Sequence, residues 1–310
     1  MKALVPARGS VEFAELPQPE PRPDEVLVKV DAFSVNRGET FLLEDPPPGW
    51  RPGKDVAGLV VQAAADGSGP AVGQRVVAHP PGAGWAEYAA VRTDALAVLP
   101  AELDTRTAAA LPLAGLTALR LLRTAGAVTG RRLLLTGASG GVGHYLTELA
   151  AAAGGQLTAV TANAERGARL AELGAAEVVH SLTDATGPYD LVLESTGGPA
   201  LPLALGLLAP RGRLLWFGQA SREPVRLDFF ALLNGPVSAT VQHFSYADVD
   251  HPDGPDLRTL VRLTAEGRLH PELGLLDDWH RTADAIAALR GREVRGNTVL
   301  TLNRTGGQAS

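Results

Sequence analysis

The spacing of apolar residues changes character along the chain. Over the first third, short runs of β-forming residues recur at 11–15, 25–33, 57–63, 75–79 and 85–91, which predicts strands. Proline- and glycine-rich turns at 17–23, 46–49 and 66–73 separate them. Closely spaced strands with such punctuation predict a small, partly open barrel. Between 108 and 125, Ala, Leu and Thr fall at helical spacing, predicting one or two helices with Pro112 and Gly115 between them. From 131 onward the period alternates. Strand-like runs at 133–135, 156–161, 177–180, 189–194 and 213–218 are interleaved with helical patterns at 144–153, 165–173 and 200–208. That alternation predicts a parallel, doubly wound sheet, with 237–244 as its last edge strand. The tail reads as helices at 256–266 and 282–290 and a strand at 298–302, with frayed residues from Arg304 to Ser310. A tail of this kind is expected to return to the barrel. The expected fold class is therefore α/β: a discontinuous β-barrel domain, 1–113 and 245–310, interrupted by a doubly wound domain, 114–244.

One stretch carries the clearest chemistry. Leu133, Leu134 and Leu135 suit a strand buried on both faces, and glycines follow at once as Gly137-x-x-Gly140-x-x-Gly143. Strand, glycine turn and helix in that order aim backbone N–H groups and the positive helix end at a diphosphate. The backbone of Gly137, Ser139, Gly140, Gly141, Val142 and Gly143 is the expected cradle. The spacing departs from Gly-x-Gly-x-x-Gly, and a glycine cluster alone is also what an ordinary tight turn needs. The second strand arriving on schedule favours dinucleotide binding.

Composition narrows the partners. A net charge of −6 gives no reason to expect nucleic acid or an anionic membrane. No apolar run reaches the roughly 18 residues of a membrane span, and no basic-then-apolar leader opens the chain; a cytoplasmic location is expected. The chain has no cysteine, which removes disulfides, thiolate nucleophiles and cysteine-ligated zinc together.

The choice between nicotinamide cofactors rests on the end of the second strand. A carboxylate there would bind a ribose 2′-hydroxyl and repel a 2′-phosphate. This chain reads Val160-Thr-Ala-Asn-Ala-Glu-Arg166. Asn163 is neutral and able to donate, and Arg166 offers a fork suited to phosphate. NADPH is the expected cofactor. Glu165 either pairs with Arg166 or faces solvent, and Arg166 itself could be a solvated helix residue.

Several stretches together resemble the medium-chain dehydrogenase/reductase superfamily, in its zinc-free quinone oxidoreductase branch: Val35-Asn-Arg-Gly-Glu-Thr, Gly53-Lys-Asp-Val-Ala-Gly-Leu-Val, Val72-Gly-Gln-Arg-Val, Gly84-Trp-Ala-Glu-Tyr, Ala109-Ala-Leu-Pro-Leu-Ala-Gly-Leu-Thr-Ala, the glycine turn, and Leu170-Ala-Glu-Leu-Gly-Ala-Ala. The resemblance covers nearly the whole chain. It implies a GroES-like barrel, a Rossmann domain and a cofactor cleft between them. Where the zinc branch carries a cysteine and a histidine, this chain has Asn36 and Lys54, and the four-cysteine lobe is absent, so no metal is expected. His79, the one histidine of residues 1–113, reads as a strand or loop residue without partners. By the same resemblance Thr117 sits near the nicotinamide, Gly218 and Gln219 flank its carboxamide, and Ser195 and Thr196 lie near the adenosine side. Each of these is also common turn chemistry. Relatives pair the edge strands of two Rossmann sheets, so a homodimer is expected.

The implied reaction is hydride transfer from NADPH to a quinone, enone or other α,β-unsaturated carbonyl small molecule. Asn36 is the expected polar contact for nicotinamide and substrate, or else a turn residue. Arg37 and Lys54 either add positive potential or make surface ion pairs. Many relatives carry a tyrosine where Phe41 stands, and a second where Ala118, Leu119 and Arg120 stand. Tyr88 and Tyr145 fit packing or a helix face better than proton donation, so no general acid is assigned. The alternatives are a biosynthetic tailoring enzyme on the same scaffold, an enoyl reductase or a non-redox catalyst, and a nucleotide-binding protein without turnover.

Overall fold

The computed structural model describes residues 1–302; the tail from Arg304 to Ser310 lies outside the described residues. The chain forms two compact units. One joins Met1–Leu116 to the chain from Asp250 onward, and the other is Thr117–Val249. The partings thus fall at Leu116 and Val249, a few residues beyond the expected 113 and 244.

In chain order the elements are β1 (Lys2–Ala7), β2 (Ser10–Glu15), β3 (Glu25–Ser34), α1 (Arg37–Leu42), β4 (Val56–Gln62), β5 (Arg75–Ala78), β6 (Tyr88–Arg92), β7 (Leu96–Val98), α2 (Thr105–Ala109) and α3 (Pro112–Ala125). Then come β8 (Arg132–Leu135), α4 (Gly141–Ala152), β9 (Gln156–Val160), α5 (Ala164–Glu172), β10 (Glu177–Val179), β11 (Tyr189–Glu194), α6 (Ala200–Gly206), β12 (Leu208–Trp216), α7 (Phe229–Leu233) and β13 (Thr240–His243). The chain closes with α8 (Gly254–Ala265), β14 (Leu273–Asp278), α9 (Thr282–Arg290) and β15 (Asn297–Thr301).

The first unit is built on β3, which pairs antiparallel with β4, β6 and β15. Val26, Val28 and Val30 alternate inward along it and join the core formed by Phe33, Val56, Val76, Trp85 and Leu300. Trp85 stacks on Phe33 with ring centroids 5.5 Å apart, and its indole N–H reaches the Ser34 carbonyl at 2.9 Å. A buried indole that finds such an acceptor keeps its apolar face in the core without stranding a donor.

The second unit is a parallel sheet in the order β10-β9-β8-β11-β12-β13. The chain runs outward from β8 to β9 and β10, then crosses back to β11 on the other side. The carboxyl end of β8 therefore opens beside the point where strand order reverses, the place where open α/β sheets bind ligands. Leu133, Leu134 and Leu135 are fully buried, as a strand covered on both faces requires.

Some expectations change. Gly115 does not divide two helices; α3 runs through it without interruption. Its missing side chain serves packing, because a Cβ there would lie 2.9 Å from Leu260 Cδ1. Pro112 opens α3, where an absent N–H costs no helical bond. β1 and β14 are strands that the apolar pattern does not announce. β14, Leu-Gly-Leu-Leu-Asp-Asp, exists through its parallel pairing with β15, a contact that local sequence cannot express.

Candidate functional site

The second unit holds the glycine turn at the end of β8. Gly137 has φ +62°, and a Cβ on it would meet Ser195 Oγ at 2.6 Å. Gly143 is tighter still, since a Cβ would fall 2.2 Å from the Ala138 carbonyl oxygen. These two glycines let α4 and β11 approach the turn. Gly140 differs: the nearest protein atom to its Cβ position is the Gly137 carbonyl oxygen, at 3.5 Å. It is the N-cap of α4 and makes no side-chain cap. The first N–H groups of α4, from Gly141, Val142 and Gly143, therefore lack the side-chain oxygen that commonly satisfies a helix start. An anion can take that place.

Arg166 lies on the other side of the turn. Its Nε donates to Ser139 Oγ at 3.1 Å, which ties the guanidinium to the loop between β8 and α4. Asn163 is the N-cap of α5, where its Oδ1 accepts the Arg166 backbone N–H at 3.0 Å. Its oxygen is thus taken by the helix start, which sets Arg166 in the first turn, while its amide NH2 is not used by that contact. Glu165 beside it is exposed.

The expected contacts Ser195, Thr196, Gly218 and Gln219 come together at the ends of β11 and β12. Ser195 Oγ donates to the Thr136 carbonyl at 3.1 Å, and its N–H to Thr136 Oγ1 at 2.9 Å. The Ala220 N–H reaches the Ser195 carbonyl at 3.0 Å. Gly218 packs there because a Cβ would sit 3.0 Å from that same oxygen. Gln219 turns its amide to the Glu223 carbonyl at 2.8 Å. Under this junction lies Glu194, which sequence reasoning missed. Fully buried, it accepts Thr136 Oγ1 at 3.0 Å, Thr196 N at 2.8 Å and Gly197 N at 3.0 Å. Burial pushes its carboxyl upward while those bonds oppose the shift. It holds the two strand-end loops. Thr117 is buried on α3.

The first unit gathers a polar cluster around Asp55, which is fully buried. Asp55 accepts four donors: Ser34 Oγ at 2.5 Å, Asn36 Nδ2 at 2.7 Å, Leu113 N at 3.0 Å and, through its ring Nδ1, His79 at 3.0 Å. His79 is therefore partnered, contrary to expectation. The reason is tertiary, since the two residues are brought together by the pairing of β4 with β5. Asn36 is also more committed than expected. Its amide nitrogen faces Asp55, Ser34 Oγ at 3.1 Å and Glu39 Oε2 at 3.5 Å. With carboxylates on that side the amide cannot be reversed without setting oxygen against oxygen. Its two N–H bonds are thus directed into the protein.

Glu39 completes the cluster. It is buried and accepts Gly53 N at 2.8 Å, Lys54 N at 3.1 Å and Asn36 N at 3.2 Å. Burial, with the negative Asp55 nearby, raises its pKa to about 7 against the pull of those hydrogen bonds. Phe41 stands half-buried on α1, without a proton to give. Tyr145 is fully buried in α4. Asp55 and Ser34 carried no signal in the sequence beyond a short glycine-flanked motif; their role depends on strands far apart in the chain.

Among the described residues no group of three or more His, Asp or Glu side chains gathers in a way that could hold a metal, and no helix is long and apolar enough to cross a membrane.

A nucleotide-type parallel-sheet unit whose sequence interrupts that of a GroES-like unit defines a two-domain dehydrogenase/reductase architecture. The sequence matches the family descriptions "Alcohol dehydrogenase GroES-like domain" over residues 22–101 and "Zinc-binding dehydrogenase" over residues 141–263. Mouse quinone oxidoreductase is 32% identical over 230 residues, which cover 68% of this chain and 69% of that one. The chloroplast envelope quinone oxidoreductase homolog of Arabidopsis thaliana is 37% identical over 207 residues, 61% of each chain. The spinach chloroplastic homolog is matched over 64% of its length, so the match spans less than two thirds of these two plant relatives. A mycobacterial protein solved in complex with NADPH superposes with a TM-score of 0.87 at 26% identity, over 97% of this chain and 100% of that one. The chain belongs to the medium-chain dehydrogenase/reductase superfamily, in its quinone oxidoreductase-like branch.

Proposed function

We propose that the chain is an oxidoreductase that binds NADPH and reduces quinones, enones or other α,β-unsaturated carbonyl compounds without a metal. The observation that carries this reading is the Arg166–Ser139 contact beside the uncapped start of α4. It places a guanidinium at the glycine turn, where a cofactor bearing an extra phosphate offers it a charge-assisted bond. The open space at Gly140 suits close approach of a diphosphate. NADPH, when bound, supplies a hydride to an electron-poor carbon.

The residues of the chain do the rest. Gly141, Val142 and Gly143 hold the diphosphate with backbone N–H groups, and Arg166 selects the 2′-phosphate. Ser195 and Gly218 shape the strand ends. Asp55 holds the Asn36 amide in one orientation. Asp55 and Glu39 are the titratable groups bonded to Asn36, at 2.7 Å and 3.2 Å, and His79 joins them through Asp55. With a pKa of about 7, the Glu39 carboxyl holds a proton part of the time at neutral pH. Asn36 and Lys54 stand at the ligand positions of the zinc branch, and the chain has no cysteine, which supports chemistry without zinc.

The test is NADPH absorbance at 340 nm (the nicotinamide band) with a panel of quinones and enones. Oxidation by at least one acceptor, with NADH far less effective, is the expected result. Bound NADPH with no oxidation by any acceptor would leave only nucleotide binding.

One comparison favours a second reading, a biosynthetic reductase. A mycocerosic acid synthase-like polyketide synthase of Mycobacterium tuberculosis matches 96% of this chain at 29% identity, in a segment that is 15% of that protein. Conjugated thioesters belong in the acceptor panel for this reason.

We also propose a homodimer in a cytoplasmic setting. β13 pairs with β12 alone among the described strands, and all four of its residues are exposed. Phe229, Phe230, Leu233, Val237 and Val241 are exposed around it. An unpaired edge beside apolar side chains favours pairing with a second copy. Val241→Lys is expected to halve the mass read by light scattering; a wild-type monomer at micromolar concentration would reject the dimer.

A further inference from the structure

The loop between α1 and β4 carries an arginine whose charge the described residues leave unmet. Its backbone is closely tied. The Ala83 N–H reaches the Arg51 carbonyl at 3.0 Å, the Trp85 N–H reaches Pro52 at 3.3 Å, and the Gly84 N–H reaches Gly53 at 2.9 Å. Glu39 then takes the N–H groups of Gly53 and Lys54, and the same carboxylate takes Asn36 N. Arg51 therefore stands two residues from a point bonded, through one carboxylate, to Asn36.

Its side chain, unlike its backbone, makes no hydrogen bond or ion pair among the described residues. Arg51 is half-buried, and its Nε is buried with no acceptor. Among the described residues no carboxylate pairs with it, and burial lowers its pKa with no opposing charge to raise it. Arg290 also has a buried Nε without a hydrogen-bond acceptor, but its guanidinium donates to the Thr40 carbonyl at 2.5 Å and faces Glu44. Arg75 donates to the carbonyls of Leu103, Pro100 and Ala101, and Arg295 meets Glu272 at 2.6 Å. The acids nearest in sequence are engaged or far from fully charged: Glu44 faces Arg290 at 3.9 Å, Asp55 already accepts four donors, and Glu39 is partly protonated near neutral pH. Asp45 is exposed.

A buried donor without an acceptor in a native fold calls for a ligand, a water or a strain-bearing role. A guanidinium presents parallel N–H bonds that match a carboxylate or phosphate in two-point contact. We propose that Arg51 is the substrate-recognition residue of this enzyme, and that the conjugated acceptor carries an anionic group, a carboxylate or a phosphate, which Arg51 binds. The proposal rests on the reductase reading and deepens it, by defining the acceptor's second functional group. Lys54, on the same loop, adds positive potential to that side of the cluster.

Two matched acceptor pairs test it with the full chain and NADPH. One is an unsaturated keto acid and its methyl ester. The other is an unsaturated coenzyme A thioester and its shorter thioester lacking phosphate. The wild type is expected to prefer the anionic member of one pair, and which pair responds tells carboxylate from phosphate. Arg51→Gln is expected to raise KM for that member about 10- to 100-fold, the range for a hydrogen bond to a charged group, with the neutral member unchanged. Arg51→Lys should fall between, keeping the charge and losing the fork. Equal kcat/KM for both members of both pairs in the wild type would overturn the proposal. So would an Arg51→Gln variant that weakens anionic and neutral acceptors alike and melts at a lower temperature, which would make Arg51 structural.

Should NADPH bind without oxidation by any acceptor, the reductase reading fails first, and Arg51 is then read by binding alone. Quenching of tryptophan fluorescence, with Trp50 adjacent in sequence, is followed on titrating the keto acid and the coenzyme A thioester. Saturation in wild type and none in Arg51→Gln supports an anion site; identical curves overturn it.

Discussion

Asp55 and His79 meet inside the first unit, Oδ1 to Nδ1, at 3.0 Å. The contact matters because Asp55 also fixes the Asn36 amide and the Leu113 N–H at the start of α3. One carboxylate thus joins β4, the residue after β5, the residue before α1, and the first turn of α3. A buried charge with four donors is stable only while the donors remain.

Replacing Asp55 by Asn keeps the shape and removes the acceptor for at least two of these donors. Breaking a buried charged pair costs about 3–5 kcal/mol. Asp55→Asn is expected to lower the urea midpoint by a corresponding amount, read by circular dichroism, and to reduce turnover with NADPH. A midpoint equal to wild type would show that the cluster does not hold the unit.

Gly143 and Gly140 separate packing from binding. A Cβ on Gly143 would overlap the Ala138 carbonyl at 2.2 Å, whereas Gly140 has room, its nearest atom being 3.5 Å away. Gly143→Ala is expected to unfold or strongly destabilise the second unit. Gly140→Ala is expected to fold normally and weaken NADPH binding, because a methyl group then stands where the diphosphate approaches. Calorimetry and cofactor titration on both variants check the pair.

Arg166→Ala removes one charge-assisted bond to the 2′-phosphate, worth about 1.5–3 kcal/mol. NADPH affinity should fall about 10- to 100-fold by the same measure, with NADH little affected. Equal losses for both cofactors would assign Arg166 to loop support through Ser139.

The Glu39 carboxyl is raised from 4.5 to about 7, so the folded state binds its proton more tightly than the unfolded chain. Its contribution to stability is fully present below about pH 4.5 and is lost as pH rises through 7. Melting temperature should therefore decline between those limits in wild type more than in Glu39→Gln, which cannot titrate there. Parallel pH profiles for the two proteins would place the shift elsewhere.

Much of this was readable from local patterns. The run Leu133-Leu-Leu135 with its glycines reports a buried strand entering a phosphate-type turn, because backbone sterics and two-sided burial act on neighbouring residues. α9 is also marked correctly, at Thr282–Arg290, since helical period is a short-range signal. Other features were not readable. His79 looked isolated because Asp55 is 24 positions away and the two meet only through β-pairing. Gly115 looked like a helix break because its partner, Leu260, comes from the far end of the chain.

The amino-acid order alone determined the alternation of elements, the glycine turn, the absence of cysteine and the placing of Arg166 in a helix's first turn. These depend on propensity, period and composition, which act over a few residues. Tertiary structure decided which polar groups share a carboxylate, which way the Asn36 amide faces, and that Arg51 is left with a buried donor and no acceptor. Those outcomes depend on burial and on strands brought together from distant positions, where the cost of an unmet charge is set by everything packed around it.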